Sequence, residues 1–138
     1  MTRLLWVDEG LTDAPVLDPR DRGFTLGDGV FETMRAVGGR LPLLSLHLGR
    51  LRSSAEVLRL SIHWTDAFLA DAIDAVLAAN HLTDAAVRLT VSRGVPSRRG
   101  LLPDPQGRPT LVIDAEPFPG YPAELYERGA ALVTNRIP

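Results

Sequence analysis

An apolar stripe within residues 41–60, LPLLSLHLGRLRSSAEVLRL, restricts the fold more than any other feature of the chain. Its apolar residues recur at steps of three and four, and at about 100° per residue they share one narrow face of an α-helix. The pattern therefore predicts an amphipathic helix that packs against a core, with Ser45 capping its first turn. The predicted stripe consists of Leu44, Leu48, Leu51, Ala55 and Leu58.

Polar residues on one side of this stripe are candidates for function. Arg50 lies there with His47 and Ser54, and the three-residue separation makes His47 and Arg50 neighbours on the helix surface. An arginine beside a core can simply extend its head to solvent. It can also aim a permanently charged fork of donors at a phosphate or carboxylate. Periodicity alone leaves both interpretations of Arg50 open.

Alternating apolar and polar residues predict strands. Val87, Leu89 and Val91 alternate with polar residues, as expected for a strand that is buried on one face. A second helix is expected to follow Thr65, and a short one to end at Gly129. These elements predict an α+β fold, a mostly antiparallel sheet with two packed helices. Further strands are predicted over 4–7, 30–37, 110–117 and 130–137, a hairpin turn over 37–40, turns over 9–21 and a loop over 93–109.

Composition excludes several classes of function. The chain has 138 residues, the size of one domain, and its net charge of −2 offers no basic surface for nucleic acid. No apolar run is long enough to cross a membrane, and no secretory signal is present. Cysteine is absent, which excludes disulfides, thiolate metal sites and cysteine nucleophiles and agrees with a cytoplasmic location. All 15 residues counted as Lys+Arg are arginines, so no lysine can form a Schiff base.

Two motifs, in order and correctly spaced, resemble the N-terminal half of the class IV aminotransferases, the fold-type IV pyridoxal-phosphate enzymes. The first is DRGFTLGDGVFETMRAVGG at 21–39, in which GDG leads into VFE. The second is H-x-x-R-L-x-x-S-A, which begins at His47 within 43–60. A later stretch, VSRGVPSRRG at 91–100, resembles an arginine-containing loop of the same family. The family includes branched-chain aminotransferases, D-amino-acid aminotransferases and 4-amino-4-deoxychorismate lyases.

The resemblance implies a role for Arg50 and an incomplete active site. In this family the arginine of H-x-x-R-L binds the phosphate of pyridoxal 5'-phosphate, which assigns that role to Arg50, with His47 in support. Family members bind the cofactor on a lysine that follows the interdomain segment. We therefore expect residues 1–120 to be the small N-terminal domain, and 121–138 to be the linker and the start of a large cofactor domain. As a lysine-free fragment the chain is expected to be inactive, and the intact enzyme is expected to be a homodimer.

The resemblance also implies which residues face the substrates, an amino acid and a 2-oxo acid. Phe31 and Arg88 match positions that face the substrate in branched-chain enzymes, and Glu32 is expected to line the pocket or to pair with a nearby arginine. Arg98 matches a loop arginine that binds the substrate carboxylate in D-amino-acid aminotransferases. Phe31 departs from the tyrosine of those enzymes, and Gly100 from their histidine.

Three functions follow as hypotheses. The first is the small domain of an aminotransferase that acts on an amino acid. The second is the corresponding part of a 4-amino-4-deoxychorismate lyase, because Ser92-Arg93-Gly94 approximates the loop of the lyases. Leu101 and Leu102 stand where the lyases usually carry Gly-Tyr. The third, from another class, is a stand-alone non-catalytic domain that binds anions or a partner.

Overall fold

Five antiparallel strands and four helices make up the described part of the chain, residues 2–98, 100–104 and 107–134 of the computed structural model. The sheet has the strand order β2-β1-β5-β4-β3. Its strands are β1 (Leu5–Val7), β2 (Gly10–Thr12), β3 (Gly29–Ala36), β4 (Ala85–Val95) and β5 (Arg108–Pro117). The helices are α1 (Arg22–Leu26), α2 (Leu44–Val57), α3 (Asp66–Ala79) and α4 (Ala123–Arg128). The α+β prediction is confirmed.

The sheet has one buried face and one open face because its strands alternate in sequence. In β3, Val30, Glu32, Met34 and Ala36 are buried, and the residues between them are exposed. Strand β4 buries its predicted apolar residues in the same way. The register pairs Phe31 with Thr90 and Thr90 with Val112, so one row of side chains crosses the open face. Adjacent residues of β3 therefore lie on opposite faces of the sheet, one buried and one open.

The two long helices cover the buried face, as their apolar stripes predict. Helix α2 buries Leu48, Leu51 and Ala55. The predicted cap at Ser45 is wrong: Leu43 precedes the first turn, and no side chain caps it. Leu58 is also misplaced in the predicted stripe, because α2 ends at Val57 and Leu58 is 41% exposed. Helix α3 buries Leu69, Ala72, Ile73, Val76 and Leu77.

Three other expectations differ from the structure. Within 9–21, predicted as turns only, β2 pairs with β1 around a tight turn in which Asp8 has a φ of 50°. The turn over 37–40 is closed by a Val37–Arg40 bridge, but the chain then enters α2 rather than a second strand. Residues 130–134 form no strand, and 135–138 lie outside the described residues. The short helix that ends before Gly129 is confirmed.

No helix in the described part of the chain is long and apolar enough to span a membrane.

We expect Thr65→Ala to lower the free energy of unfolding by about 1 kcal/mol, the usual value of an N-cap. The Thr65 hydroxyl accepts the Phe68 amide at 3.1 Å and so satisfies a free donor of the first turn of α3. Urea unfolding of the variant measures this difference. Ser45→Ala is the matched control, since Ser45 is exposed and caps nothing, and it should change stability by less than about 0.5 kcal/mol. Equal losses in both variants would contradict the assignment of the caps.

Candidate functional site

A buried carboxylate on β3 holds the two polar residues that flank the stripe of α2. Arg50 donates to Glu32 through Nε at 2.7 Å and through Nη2 at 2.5 Å. His47 donates from Nδ1 to Oε2 of Glu32 at 2.8 Å. The side chain of Glu32 is 3% exposed, whereas that of Arg50 is 67% exposed. The structure therefore brings together three of the predicted site residues. Glu32 fixes the guanidinium of Arg50 through Nε and Nη2, and the rest of that group is open to solvent.

The charges in this group reinforce each other. The hydrogen bonds from Arg50 lower the pKa of Glu32, burial opposes them by raising it, and the contact with His47 lowers it further. The net effect is a Glu32 pKa below its ordinary value. The carboxylate of Glu32 in turn raises the pKa of Arg50. Glu32 therefore stays ionised, and Arg50 stays a permanent cation.

This pKa shift makes part of the stability depend on pH. Because the folded-state pKa of Glu32 is depressed, its contribution is complete above the ordinary glutamate pKa of 4.5 and is lost as the pH falls through the lower folded-state value. We expect Glu32→Gln to lose more stability, relative to the native chain, at about pH 6 than at about pH 3. Urea unfolding at both pH values measures this difference. A loss that is the same at both would contradict the assigned shift.

The open face of the sheet carries a second group of predicted residues. The Arg88 guanidinium carbon lies 3.8 Å from the centre of the Phe31 ring, a cation–π contact. Both residues line a cavity of about 680 Å³, which segment 17–27 borders from the side. Thr90 and Val112 also line this cavity. Since Phe31 and Glu32 are adjacent in β3, this cavity and the Glu32 group lie on opposite faces of the sheet.

Arg98 is separate from both groups. It is exposed and lines a different cleft, of about 710 Å³, between α1 and the loop that follows β4. Within the described residues its guanidinium makes no hydrogen bond or ion pair. Arg99, the other arginine of this loop, lies outside the described part of the chain.

Sequence reasoning did not find a third group, here named the Asp28 cluster: Asp28, Arg22 and Arg93. The Oδ2 atom of Asp28 accepts from Arg22 Nε at 2.8 Å and from Arg93 Nε at 2.9 Å. Burial alone raises the pKa of Asp28, but the hydrogen bonds from Arg93 and Arg22 outweigh it and keep the pKa below its ordinary value. The three side chains are 6 to 13% exposed, and Arg93 lies in β4 rather than in the predicted loop over 93–109.

The GDG sequence is explained by the same region. Gly27 ends α1 with a φ of 65°, a left-handed conformation that favours glycine. Gly29 has no room for a Cβ, which would lie 2.7 Å from the carbonyl oxygen of Val91. The intervening aspartate is therefore held at the junction of α1, β3 and β4. The DRG and GDG sequences contain Arg22 and Asp28, but nothing in them indicates that Arg93 joins this pair.

Comparisons with known proteins identify the family. The family model for amino-transferase class IV matches residues 29–137. A D-alanine aminotransferase of Listeria monocytogenes is 36% identical over 129 residues, which are 91% of this chain and 44% of that protein. A Methanocaldococcus jannaschii protein with the provisional name branched-chain-amino-acid aminotransferase is 38% identical over 118 residues, 86% of this chain and 41% of that protein.

Solved structures of the same kinds of enzyme also match this chain. The 4-amino-4-deoxychorismate lyase of Pseudomonas aeruginosa is 32% identical with a TM-score of 0.75, covering 91% of this chain and 44% of that one. The branched-chain amino acid aminotransferase of Escherichia coli has a TM-score of 0.76 at 23% identity, covers 86% of this chain and 42% of that one, and shows the shared fold. The chain spans less than half the length of these relatives. With a family model that matches most of its residues, the chain belongs to the class IV amino-transferase family.

Proposed function

We propose that the chain is the small domain of a pyridoxal-phosphate-dependent aminotransferase that transfers an amino group between an amino acid and a 2-oxo acid. The observation that carries the proposal is the Arg50–Glu32–His47 group. A buried carboxylate holds an arginine whose head is exposed, at the position of the H-x-x-R-L motif. Domain 1–120 would supply this group, and 121–138 would lead into the large domain.

The residues present fit the phosphate of pyridoxal 5'-phosphate. Glu32 occupies Nε and Nη2 of Arg50, and no hydrogen bond joins Nη1 to another described residue, so that edge of the guanidinium is available to an anion. Arginine suits a phosphate because its charge is permanent and its donors are planar. His47 would support Arg50 indirectly, by binding the same carboxylate. When bound, the cofactor supplies the electron-withdrawing chemistry of amino transfer.

The remaining predicted residues line two separate cavities, and each cavity suits one part of a substrate. Phe31 gives an apolar wall to the cavity on the open face, and Arg88 lies across its ring. We propose that the side chain of the amino acid is held against these two residues. Arg98 would bind a substrate carboxylate, since it is a cation on an exposed loop with no partner among the described residues.

The linker assignment is supported by where contacts with the sheet end. The Phe118 amide donates to the Asp84 carbonyl at 3.1 Å, and Arg35 lies 5.5 Å from the centre of the Phe118 ring. Beyond this point, residues 121–134 are all exposed, and α4 has no buried residue. A segment of this kind is typical of a connection between domains.

A second candidate is 4-amino-4-deoxychorismate lyase, which shares the cofactor and differs in the fate of the substrate. The similarity to the Pseudomonas aeruginosa lyase favours it, because that structure is 32% identical and covers 91% of the chain. Both candidates need a lysine that this chain does not contain, and we propose that the chain alone is inactive.

The experiment expresses the complete reading frame that contains this chain, adds pyridoxal 5'-phosphate and assays two reactions. Formation of a 2-oxo acid from branched-chain or D-amino acids supports the aminotransferase. Release of pyruvate from 4-amino-4-deoxychorismate supports the lyase. If neither reaction occurs and the chain binds phosphate or a partner without the cofactor, the stand-alone binding domain is correct and the enzyme proposal is wrong.

A further inference from the structure

The Asp28 cluster reaches beyond its own ion pairs. Besides Asp28, Arg22 donates from Nη1 to the Gly100 carbonyl at 2.9 Å and from Nη2 to the Leu101 carbonyl at 3.0 Å. Its side chain is 6% exposed, so these bonds form away from water. All three guanidinium nitrogens of Arg22 therefore donate hydrogen bonds. Nε binds Asp28, and Nη1 and Nη2 bind the loop that carries Arg98.

The two leucine side chains at the tip of this loop do not anchor it. Leu101 and Leu102 are 85% and 86% exposed and bury almost no apolar area. The Ser97 amide donates to Oδ2 of Asp104 at 2.8 Å, but both residues lie between β4 and β5 and belong to the same connection. The two carbonyl contacts of Arg22 therefore tie the loop to the body of the domain.

Arg22 is itself held in a fixed position. Asp28 binds its Nε, and the same oxygen binds Arg93, which donates to the carbonyls of Leu58 and Arg59 at 2.8 and 3.0 Å. Those carbonyls follow the end of α2, the helix that carries Arg50. The loop is thus connected through one carboxylate to the helix of the proposed phosphate site.

We propose that Arg22 is a positioning residue, which holds the loop by two backbone carbonyls so that Arg98 meets a substrate carboxylate at a fixed place. The role of Arg98 belongs to the proposed function, and the inference rests on it in that respect. A lysine could keep the charge beside Asp28, but its single ammonium group cannot reproduce the planar fork that reaches both carbonyls.

The first test uses the chain itself and measures how readily the loop opens, as the rate at which trypsin cleaves after Arg98. Cleavage needs local opening, so loss of the two carbonyl bonds should speed it about tenfold in Arg22→Lys. The Arg22→Gln variant should also be cleaved faster. If that variant does not fold, Arg22→Lys alone decides the test. Arg20→Gln is the matched control, because Arg20 is exposed and, among the described residues, binds only Asp18. Unchanged cleavage in Arg22→Lys, or equal acceleration in the control, would overturn the proposal.

The second test uses the complete enzyme and a double-mutant cycle. Arg22→Lys should raise KM for the carboxylate substrate about tenfold, with a smaller change in kcat, and this effect should disappear when Arg98 is already glutamine. An effect that persists without Arg98 shows that Arg22 acts only on the fold. If the native enzyme shows no transfer or lyase activity, the proposed function fails, while the trypsin test still decides whether Arg22 holds the loop.

Discussion

Asp28→Ala is expected to lower the free energy of unfolding by about 3–5 kcal/mol, a large part of the stability of an ordinary domain. The variant leaves two arginines, Arg22 and Arg93, without their shared carboxylate, although their side chains are only 6% and 10% exposed. An unpaired charge that water hardly reaches is the main cost. Urea unfolding of the variant and the native chain measures the difference.

Two further variants show whether the loss of stability in Asp28→Ala comes from the unpaired arginine charges. Asp28→Asn keeps the shape and one acceptor oxygen, so it should lose less than Asp28→Ala. Asp18→Ala removes the carboxylate of an exposed pair, in which the Arg20 side chain is 70% exposed, and should change stability little. A small loss in Asp28→Ala would mean that water reaches the two arginines, and the buried cluster would then be wrongly described.

Arg50→Ala should weaken retention of pyridoxal 5'-phosphate by the complete enzyme by about 10- to 150-fold, the range expected when a hydrogen-bonded charge pair is removed. Stability should also fall, because the variant leaves the Glu32 carboxylate, which is 3% exposed, with His47 as its remaining partner among the described residues. Dialysis of the loaded enzyme, followed by the absorbance of the remaining cofactor, measures retention, and urea unfolding measures stability.

Arg52→Ala is the matched control for this prediction. Arg52 lies on the same helix, but it binds Asp66 and the Trp64 carbonyl, away from the Glu32 group. It should retain the cofactor as the native enzyme does. If Arg50→Ala loses stability but retains the cofactor as well as Arg52→Ala does, then Arg50 serves only the packing of α2 on β3, and the proposed phosphate site is wrong.

The candidate site was predictable where residues are close in sequence or share a motif. Helical spacing placed His47 beside Arg50, and the structure confirms that they lie together. Glu32 was expected either to line the pocket or to pair with a nearby arginine. The alternation of β3 turns Glu32 towards α2, where it pairs with Arg50. The same alternation turns Phe31 to the other face, so the predicted residues divide between two surfaces.

The Asp28 cluster was not predictable, because its members are up to 71 positions apart and contact each other only after β4 returns beside β3. Arg22 lies just after the segment that was predicted to be turns, 9–21, and Arg93 lies in one that was predicted to be a loop. Polar residues without periodicity carry no local signal of burial, so their environment depends on what the rest of the chain places around them.

By itself the sequence determined the elements whose apolar residues repeat, the class of fold, the motifs of the family and the absence of a lysine. These properties depend on spacing along the chain and on side-chain chemistry. The tertiary structure alone decided which arginines are exposed, which are buried and which carboxylate each one binds. The reason is physical: guanidinium groups that are chemically identical differ, in the described part of the chain, in the water, oxygen atoms and aromatic rings that folding places around them.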